Sequence, residues 1–441
     1  MPQPAPKSRR HLSADPLLRT LKGCFQQIPD HRPKPDIPLS DALLSGFALF
    51  ALKDPSMLAF EQRRQTGNLQ TLYGITHVPS DTRLREILDP VDPNCLRLAF
   101  QAVFNELQRG KGLEPFVFHN GAYLLALDGT GYFSSSTIHC ASCLEKVNSK
   151  IGEVTYSHQL LGASIVHPDL REVIPLAPEA IIKQDGSTKN DCERNASKRL
   201  LREIRSEHPH LKFIVIEDGL ASNAPHIEEL LALKMNFILG AKPGDHAFLF
   251  DRWIQAHDSG QVTVITSKLE GGGEREISFA QNLPLNESHP ELRINLLHVV
   301  ETDADGITRR QFSWVTDLAI TTQNAAHLAR GGRARWKIEN ETFNTLKNQG
   351  YHFEHNFGHG KQNLSVVLAM LMMLAFLVDQ VQQLCCPVFQ AVLKKVGSKR
   401  LLWEQLRSHF YHFVFESLHH LYWVMLYDLA KEMPAPSLDT S

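Results

Sequence analysis

The chain is poor in cysteine, with seven in 441 residues, and an odd number leaves one over from any full pairing. That excludes a small disulfide-stapled scaffold. It lacks strong net charge, at −2, so a uniformly basic protein that coats nucleic acid is excluded. There is no internal repeat, and no low-complexity tract beyond the polar ends MPQPAPKSRR and PAPSLDTS. The first ten residues have no apolar run behind them, so the expectation is a chain without a secretory signal, in a reducing cytoplasm. An uninterrupted membrane-length run is also missing. Leu364 to Val378 (LSVVLAMLMMLAFLV) is 15 residues long, short of the ~20 a spanning helix needs, and reads as a buried core helix; no membrane partner is expected.

What is present is ordinary globular composition, 43% hydrophobic and 21% charged, long enough for two or three domains. Charge is uneven. Residues 1–36 hold seven Lys/Arg against three Asp/Glu, and the stretch from Arg330 to Lys347 adds Arg333, Arg335 and Lys337 against Glu339 and Glu341. Such patches suit phosphate or a solvated face.

Pattern divides the chain into five parts. Residues 1–118 read as a helical N-terminal domain, with Leu39–Ala51 apolar at helical spacing and Ser80 opening another helix as a cap. Arg63, Arg64, Arg83 and Arg85 there are candidate contacts to DNA backbone. Residues 119–243 read as β-β-β-α-β-α-β, a mixed α/β layer. Its strands include Tyr123–Leu127, Thr155–Val166, Glu172–Leu176, Phe213–Ile216 and Phe237–Leu239. Residues 244–322 read as a β-rich insertion, 323–380 as helical, and 381–441 as a helical C-terminal region.

Three acids carry the candidate chemistry. Asp128 follows the apolar run YLLAL and Asp218 follows FIVIE, both expected at strand ends facing a crevice. Two such carboxylates repel unless a cation lies between them, and hard oxygen ligands suit Mg²⁺ or Mn²⁺. At about 100° per residue, Glu339 falls on one helical stripe with Trp336, Phe343 and Leu346, while Glu341 faces solvent. Arg335, four residues earlier, shares that face and would orient Glu339 or meet a phosphate. The alternatives are turn-forming Asp residues and a plain Arg335–Glu339 ion pair. Asp317, after the strand-like Trp314-Val315-Thr316, is a weaker candidate acid.

LALDGT, IEDGL and RWKIENETFNTLK, in this order, resemble the signatures of prokaryotic insertion-sequence transposases of the RNase-H-like DDE class, in the group with a β-rich insertion before the Glu. The resemblance runs from about Ser80 to Val378. Asp128 and Asp218 lie 90 residues apart, and Asp218 and Glu339 lie 121 apart, room enough for the insertion. Around the Glu the group's motif reads Tyr, two residues, Arg, three residues, Glu, six residues, Lys. Arg335 and Glu339 keep that spacing. Gly332 stands at the Tyr position, and the Lys is displaced by one to Lys347.

The resemblance implies an RNase-H-like mixed sheet flanked by helices. It also implies Asp128, Asp218 and Glu339 as catalytic residues and ligands of two Mg²⁺ ions (or Mn²⁺). Arg335, Lys347 and Arg333 are the implied DNA contacts. The partners would be double-stranded DNA and a second copy or higher multimer of the chain. The implied reaction is strand cleavage at element ends and transfer of the 3′-OH to target DNA. A nuclease without strand transfer and a catalytically silent DNA-binding descendant are the alternatives.

Two smaller clusters complete the reading. His139-Cys140-x-x-Cys143, with Cys192 and with His158 as a further candidate, resembles a structural Zn²⁺ set, against ordinary reduced cysteines in a loop. His352, His355 and His359 lie just after the Glu helix, as a phosphate-facing loop or a polar turn.

Overall fold

The computed structural model describes residues 10–30, 32–183, 190–270 and 272–429. The polar tracts at 1–9 and 434–441 lie outside them. The N-terminal region is helical, as its periodicity predicts. It comprises α1 (Ala14–Gln26), α2 (Leu39–Ala51), α3 (Met57–Gln62), α4 (Gly67–Thr71), α5 (Asp81–Leu88) and α6 (Arg97–Arg109). Ser80 caps α5, its side chain accepting from Arg83 N at 3.3 Å, which satisfies one otherwise orphaned amide.

Twelve strands form one mixed sheet. They are β1 (Val117–His119), β2 (Ala122–Ser135), β3 (Leu144–Val147), β4 (Val154–Val166), β5 (Ile174–Pro175), β6 (Glu179–Ile181), β7 (Phe213–Glu217), β8 (Asn236–Gly240), β9 (Thr263–Lys268), β10 (Glu274–Asn286), β11 (His289–Thr302) and β12 (Thr308–Thr316). The main path runs β3-β4-β2-β7-β8-β12-β11-β10-β9; β1 pairs with β2, and β5 and β6 pair with β4. β2, β7 and β8 are parallel to one another, and every other pair is antiparallel. The β-rich stretch after 244 is therefore no separate sheet. It opens with α9 (Ala247–Asp258) and then extends the same sheet through β9–β12, joined by β12 against β8.

The central strands explain their own sequences. Phe213 to Ile216 is apolar at every position because both faces of β7 are covered, and all four residues are buried. α7 (Glu193–Glu207) lies against β6 and β4, and α8 (Ala224–Ala232) against β8 and α7. Asn223 caps α8 by accepting from His226 N at 3.2 Å, and Pro225 occupies the first turn, where no amide bond is lost.

After the sheet come α10 (Ala325–Arg333), a π-helical segment (Ile338–Phe343), α11 (Asn344–Asn348), α12 (Leu364–Cys385), α13 (Pro387–Val396), α14 (Lys399–His412) and α15 (Leu418–Tyr427). α12 runs seven residues past the expected apolar stretch, to 22 residues, long and apolar enough by composition to cross a bilayer. Its apolar window is wholly buried within the fold, against α2, α6 and β5. Lys53, just after α2, is buried with its Nζ 2.6 Å from Asp379 Oδ2 on α12, and the Tyr351 hydroxyl donates to the same carboxylate. The N-terminal and C-terminal helices thus share one core across the expected boundaries.

Candidate functional site

Asp128 is not at a strand end. β2 continues seven residues beyond it, and Asp128 pairs with Gly162 of β4. The parallel pairing of β2 with β7 stops at Ala126 opposite Ile216, however. Asp128 and Asp218 each stand two residues further on, at the same level of adjacent parallel strands and with the same side-chain parity. Both line one cavity of about 780 Å³, with Glu193, Lys198, Glu217 and His226 around it. Asp218 Oδ1 accepts from Leu220 N at 3.0 Å, holding the turn that leaves β7.

Glu339 arrives from the other side. Arg335 Nη2 lies 2.7 Å from Glu339 Oε1, and its Nη1 lies 3.3 Å from Asp128 Oδ2. One guanidinium therefore ties the first and third acids together. Burial lifts the Asp128 carboxyl to about 7; the Arg335 charge pulls against this, and the neighbouring Glu339 carboxyl adds to it. The pair holds one positive group for two acids. Asp218 stays apart from this pair: among the described residues, the three carboxylates do not form a group whose ligand atoms all lie within 4.8 Å of one another.

The route that brings Glu339 to Asp128 departs from simple helical geometry. α10 ends at Arg333 and the backbone turns through Ala334 and Arg335. The helix then resumes with a π segment from Ile338. A π turn holds more residues than an α turn, so a uniform 100° step fails here. Trp336, expected in the buried stripe, is 55% exposed, whereas Ile338, Thr342, Phe343 and Leu346 are buried. Glu341, expected to face solvent, is half-buried, its side chain 27% exposed against 39% for Glu339, so the expected contrast between the two acids is not found; it pairs loosely with Arg171 at 3.7 Å.

Gly162 makes the approach possible. A Cβ at this position would stand 2.9 Å from Phe343 Cζ and 3.0 Å from its Cε1. The missing side chain leaves a socket for the Phe343 ring directly across from Asp128, and Ser164 Oγ meets Thr342 Oγ1 at 3.2 Å beside it. Gly332, where the motif carries Tyr, has the Trp314 indole 2.5 Å from where a Cβ would be, so no side chain fits there.

Sequence reasoning missed Glu193 as a neighbour of the acids. Its Oε1 lies 2.2 Å from where a Gly129 Cβ would be, and partial burial plus the Asp218 and Glu217 charges raise its pKa. Its signal in the sequence is an acid in the first turn of α7, next to Cys192. Glu217 is engaged by His226 Nε2 at 2.6 Å; burial opposes the imidazolium, but that carboxylate prevails and raises the histidine's pKa.

The other predicted contacts fall elsewhere. Arg333 lies over the Phe312 ring and 3.4 Å from Glu301, which Arg275 also holds at 2.8 Å. Lys347 pairs with Glu354 at 2.9 Å, and Leu346 fills the core. Asp317 accepts from Phe237 N and Asn236 Nδ2, anchoring the start of β8, a structural role. Arg63, Arg64, Arg83 and Arg85 each pair with a nearby acid.

The cysteine set is regrouped. Cys140, Cys143, His158 and His359 place one ligand atom each within 4.8 Å of all the others. Cys192 is exposed and lines the acid cavity instead, at the start of α7, and His139 stacks on Tyr156 with ring centroids 4.5 Å apart. His139 is taken up by Tyr156 and Cys192 by the acid cavity, while the cysteines of the loop after β2 meet β4 and the 351–363 segment. His359 takes the remaining place, and neither His352 nor His355 belongs to the group.

A scan against protein-family models finds no match, and a search of curated proteins finds none.

Proposed function

We propose that the chain is a DNA transposase of the RNase-H-like DDE class, in which Asp128, Asp218 and Glu339 hold divalent metal for strand cleavage and transfer. The observation that carries the reading is the central place of Asp128. It is level with Asp218 on the neighbouring parallel strand and in one cavity with it, and Arg335 joins it to Glu339 on the opposite side. Six strands, β1–β6, rather than the three expected, precede α7-β7-α8-β8; the extension of strands that follows and the late helical segment bearing the Glu support the same reading.

The residues suit magnesium. Hard carboxylate oxygens of Asp128, Glu193, Glu217 and Asp218 line one cavity, and burial first, with neighbouring acids adding to it, raises the Asp128 and Glu193 carboxyls, a cost that a bound cation would relieve. Asp128, flanked by an acid on each side, would be the shared ligand, with Asp218 and Glu339 each completing one of two sites. Bound magnesium, or manganese in its place, supplies charge neutralisation at the scissile phosphate and a more acidic water or 3′-OH. Arg335 orients Asp128 and Glu339 before DNA arrives and is the protein cation best placed for a phosphate oxygen. DNA ends and a second copy of the chain are the proposed partners.

The test uses DNA carrying the sequences that flank the reading frame. Asp128→Asn and Glu339→Gln should each lower metal-dependent cleavage by about a thousandfold or more while keeping DNA binding, and Glu341→Gln should cut normally. Cleavage undiminished in Asp128→Asn would remove the acid from the chemistry. Cleavage without joining would favour a nuclease.

A further inference from the structure

Near the far end of β2, a second cluster stands on different chemistry from the acids. Cys140 and Cys143 come from the loop after β2, His158 from β4, and His359 from the segment between α11 and α12. The distances are Cys140 Sγ to Cys143 Sγ 3.8 Å, Cys140 Sγ to His158 Nε2 3.3 Å, Cys143 Sγ to His158 Nε2 3.5 Å, and Cys143 Sγ to His359 Nε2 3.2 Å. A zinc tetrahedron with Zn–S of ~2.3 Å and Zn–N of ~2.0–2.1 Å has edges of about 3.8 Å between sulfurs and about 3.5 Å between sulfur and nitrogen. These four separations stand close to those edges, and all four donors lie within 4.8 Å of one another. The sulfurs are far too distant for a disulfide, which needs about 2.05 Å. Both histidines turn Nε2 inward, and the Nδ1 atoms of both are buried without a partner.

We propose that Cys140, Cys143, His158 and His359 bind one structural Zn²⁺. The choice of zinc follows from two thiolates and two imidazoles in tetrahedral disposition, which suit it better than a hard cation such as magnesium. All four positions belong to the protein, so the site is closed and carries no catalytic water. Cys143, His158 and His359 are 1%, 0% and 7% exposed, and the Phe133 ring lies 4.4 Å from the His359 ring, which keeps solvent away.

The metal's work is to join the cysteine loop to a segment that is otherwise anchored elsewhere, by the Asp89 carboxylate, which accepts from Lys361 N and Gln362 N, and by the buried Tyr351, Phe353 and Phe357 rings. Residues 351–363, between α11 and α12, contain no helix or strand. Two hydrogen bonds tie this stretch to the cysteine loop, Ala141 N to Lys361 O at 3.3 Å and Ser142 Oγ to Gln362 O at 3.1 Å. Zinc would add bonds from His359 to the loop and to β4, converting binding energy into folding energy. Asp128 lies five residues from Phe133 along β2, roughly 16 Å at 3.3 Å per residue, so this ion is separate from any held by the acids.

Elemental analysis of the purified full-length protein tests the assignment. One zinc per chain is expected, retained in Cys192→Ser and lost in Cys143→Ser and His359→Ala. Because those two variants can fail to fold, the wild-type chain is also stripped with a chelator and titrated with zinc. Zinc should slow alkylation of Cys140 and Cys143 by about tenfold or more, and Co²⁺ in its place should give the visible absorption of a tetrahedral thiolate site. Zinc absent from the purified protein with alkylation rates indifferent to added zinc would overturn the proposal. So would zinc retained in well-folded His359→Ala, or a different metal at one per chain.

Discussion

Gly162→Ala isolates the contact that seats Glu339. The new methyl would sit 2.9–3.0 Å from two ring atoms of Phe343, tighter than van der Waals contact allows. The neighbour is the edge of a buried aromatic ring, with Phe343 only 4% exposed, so it has little room to swing away. Overpacking of this kind costs about 1–3 kcal/mol, partly offset by ~0.4–1 kcal/mol from the reduced freedom of the unfolded chain. The expected net loss is about 1–2 kcal/mol, read as a lower denaturant midpoint with an unchanged slope. Activity should fall further than stability. Glu339 rides on the same π segment as Phe343, and a displacement near 1 Å at a reacting centre costs about a hundredfold in rate. Phe343→Leu in the Gly162→Ala background should recover much of both losses, giving a coupling of at least ~0.5 kcal/mol in the double-mutant cycle. An unchanged midpoint in Gly162→Ala, or losses that simply add in the double variant, would refute the socket.

Two further outcomes are expected. Burial, aided by the Arg97 and Arg205 charges, depresses the pKa of His208 to about 4, below the unfolded value near 6.5. Between these values the unfolded chain binds more protons, so stability rises with pH; the contribution is full above about 6.5 and is lost as pH falls toward 4, by roughly 3 kcal/mol at most. Urea titrations across that range should show the slope in wild type and a flatter one in His208→Phe. Lys53→Met should cost about 3–5 kcal/mol by leaving Asp379 buried without its cation, and Lys53→Met with Asp379→Leu should recover most of it; equal midpoints in all three proteins would dismiss the pair as a tie between α2 and α12.

The elements whose sequence alone carries their environment were legible. α2 and α12 are apolar because they are buried on nearly every side, and Phe213–Ile216 because β7 is covered on both faces. Asp128 and Asp218 were readable as acids after apolar runs, but β2 was cut short at Asp128. The pairing that carries β2 on to Ser135 comes from β4, a partner no local signal announces. The Glu339 face was read with α geometry, and the π segment, which sends Trp336 into solvent, has no such period. Gly162 was silent because its meaning lies in Phe343, far along the chain. The Cys140–Cys143 pair was visible from its spacing, whereas His359 is 216 residues from Cys143 and only the fold brings them together. Cys192, nearer in sequence, was the wrong choice for the same reason.

Anomalous diffraction from crystals soaked in Mn²⁺ tests the central claim most directly. The account predicts manganese within ~2.2 Å of an Asp128 carboxylate oxygen, with Asp218 and Glu339 completing the coordination, and no such peak in Asp128→Asn. Manganese bound elsewhere, or absent from Asp128 in a protein that cuts DNA with that metal, would contradict it.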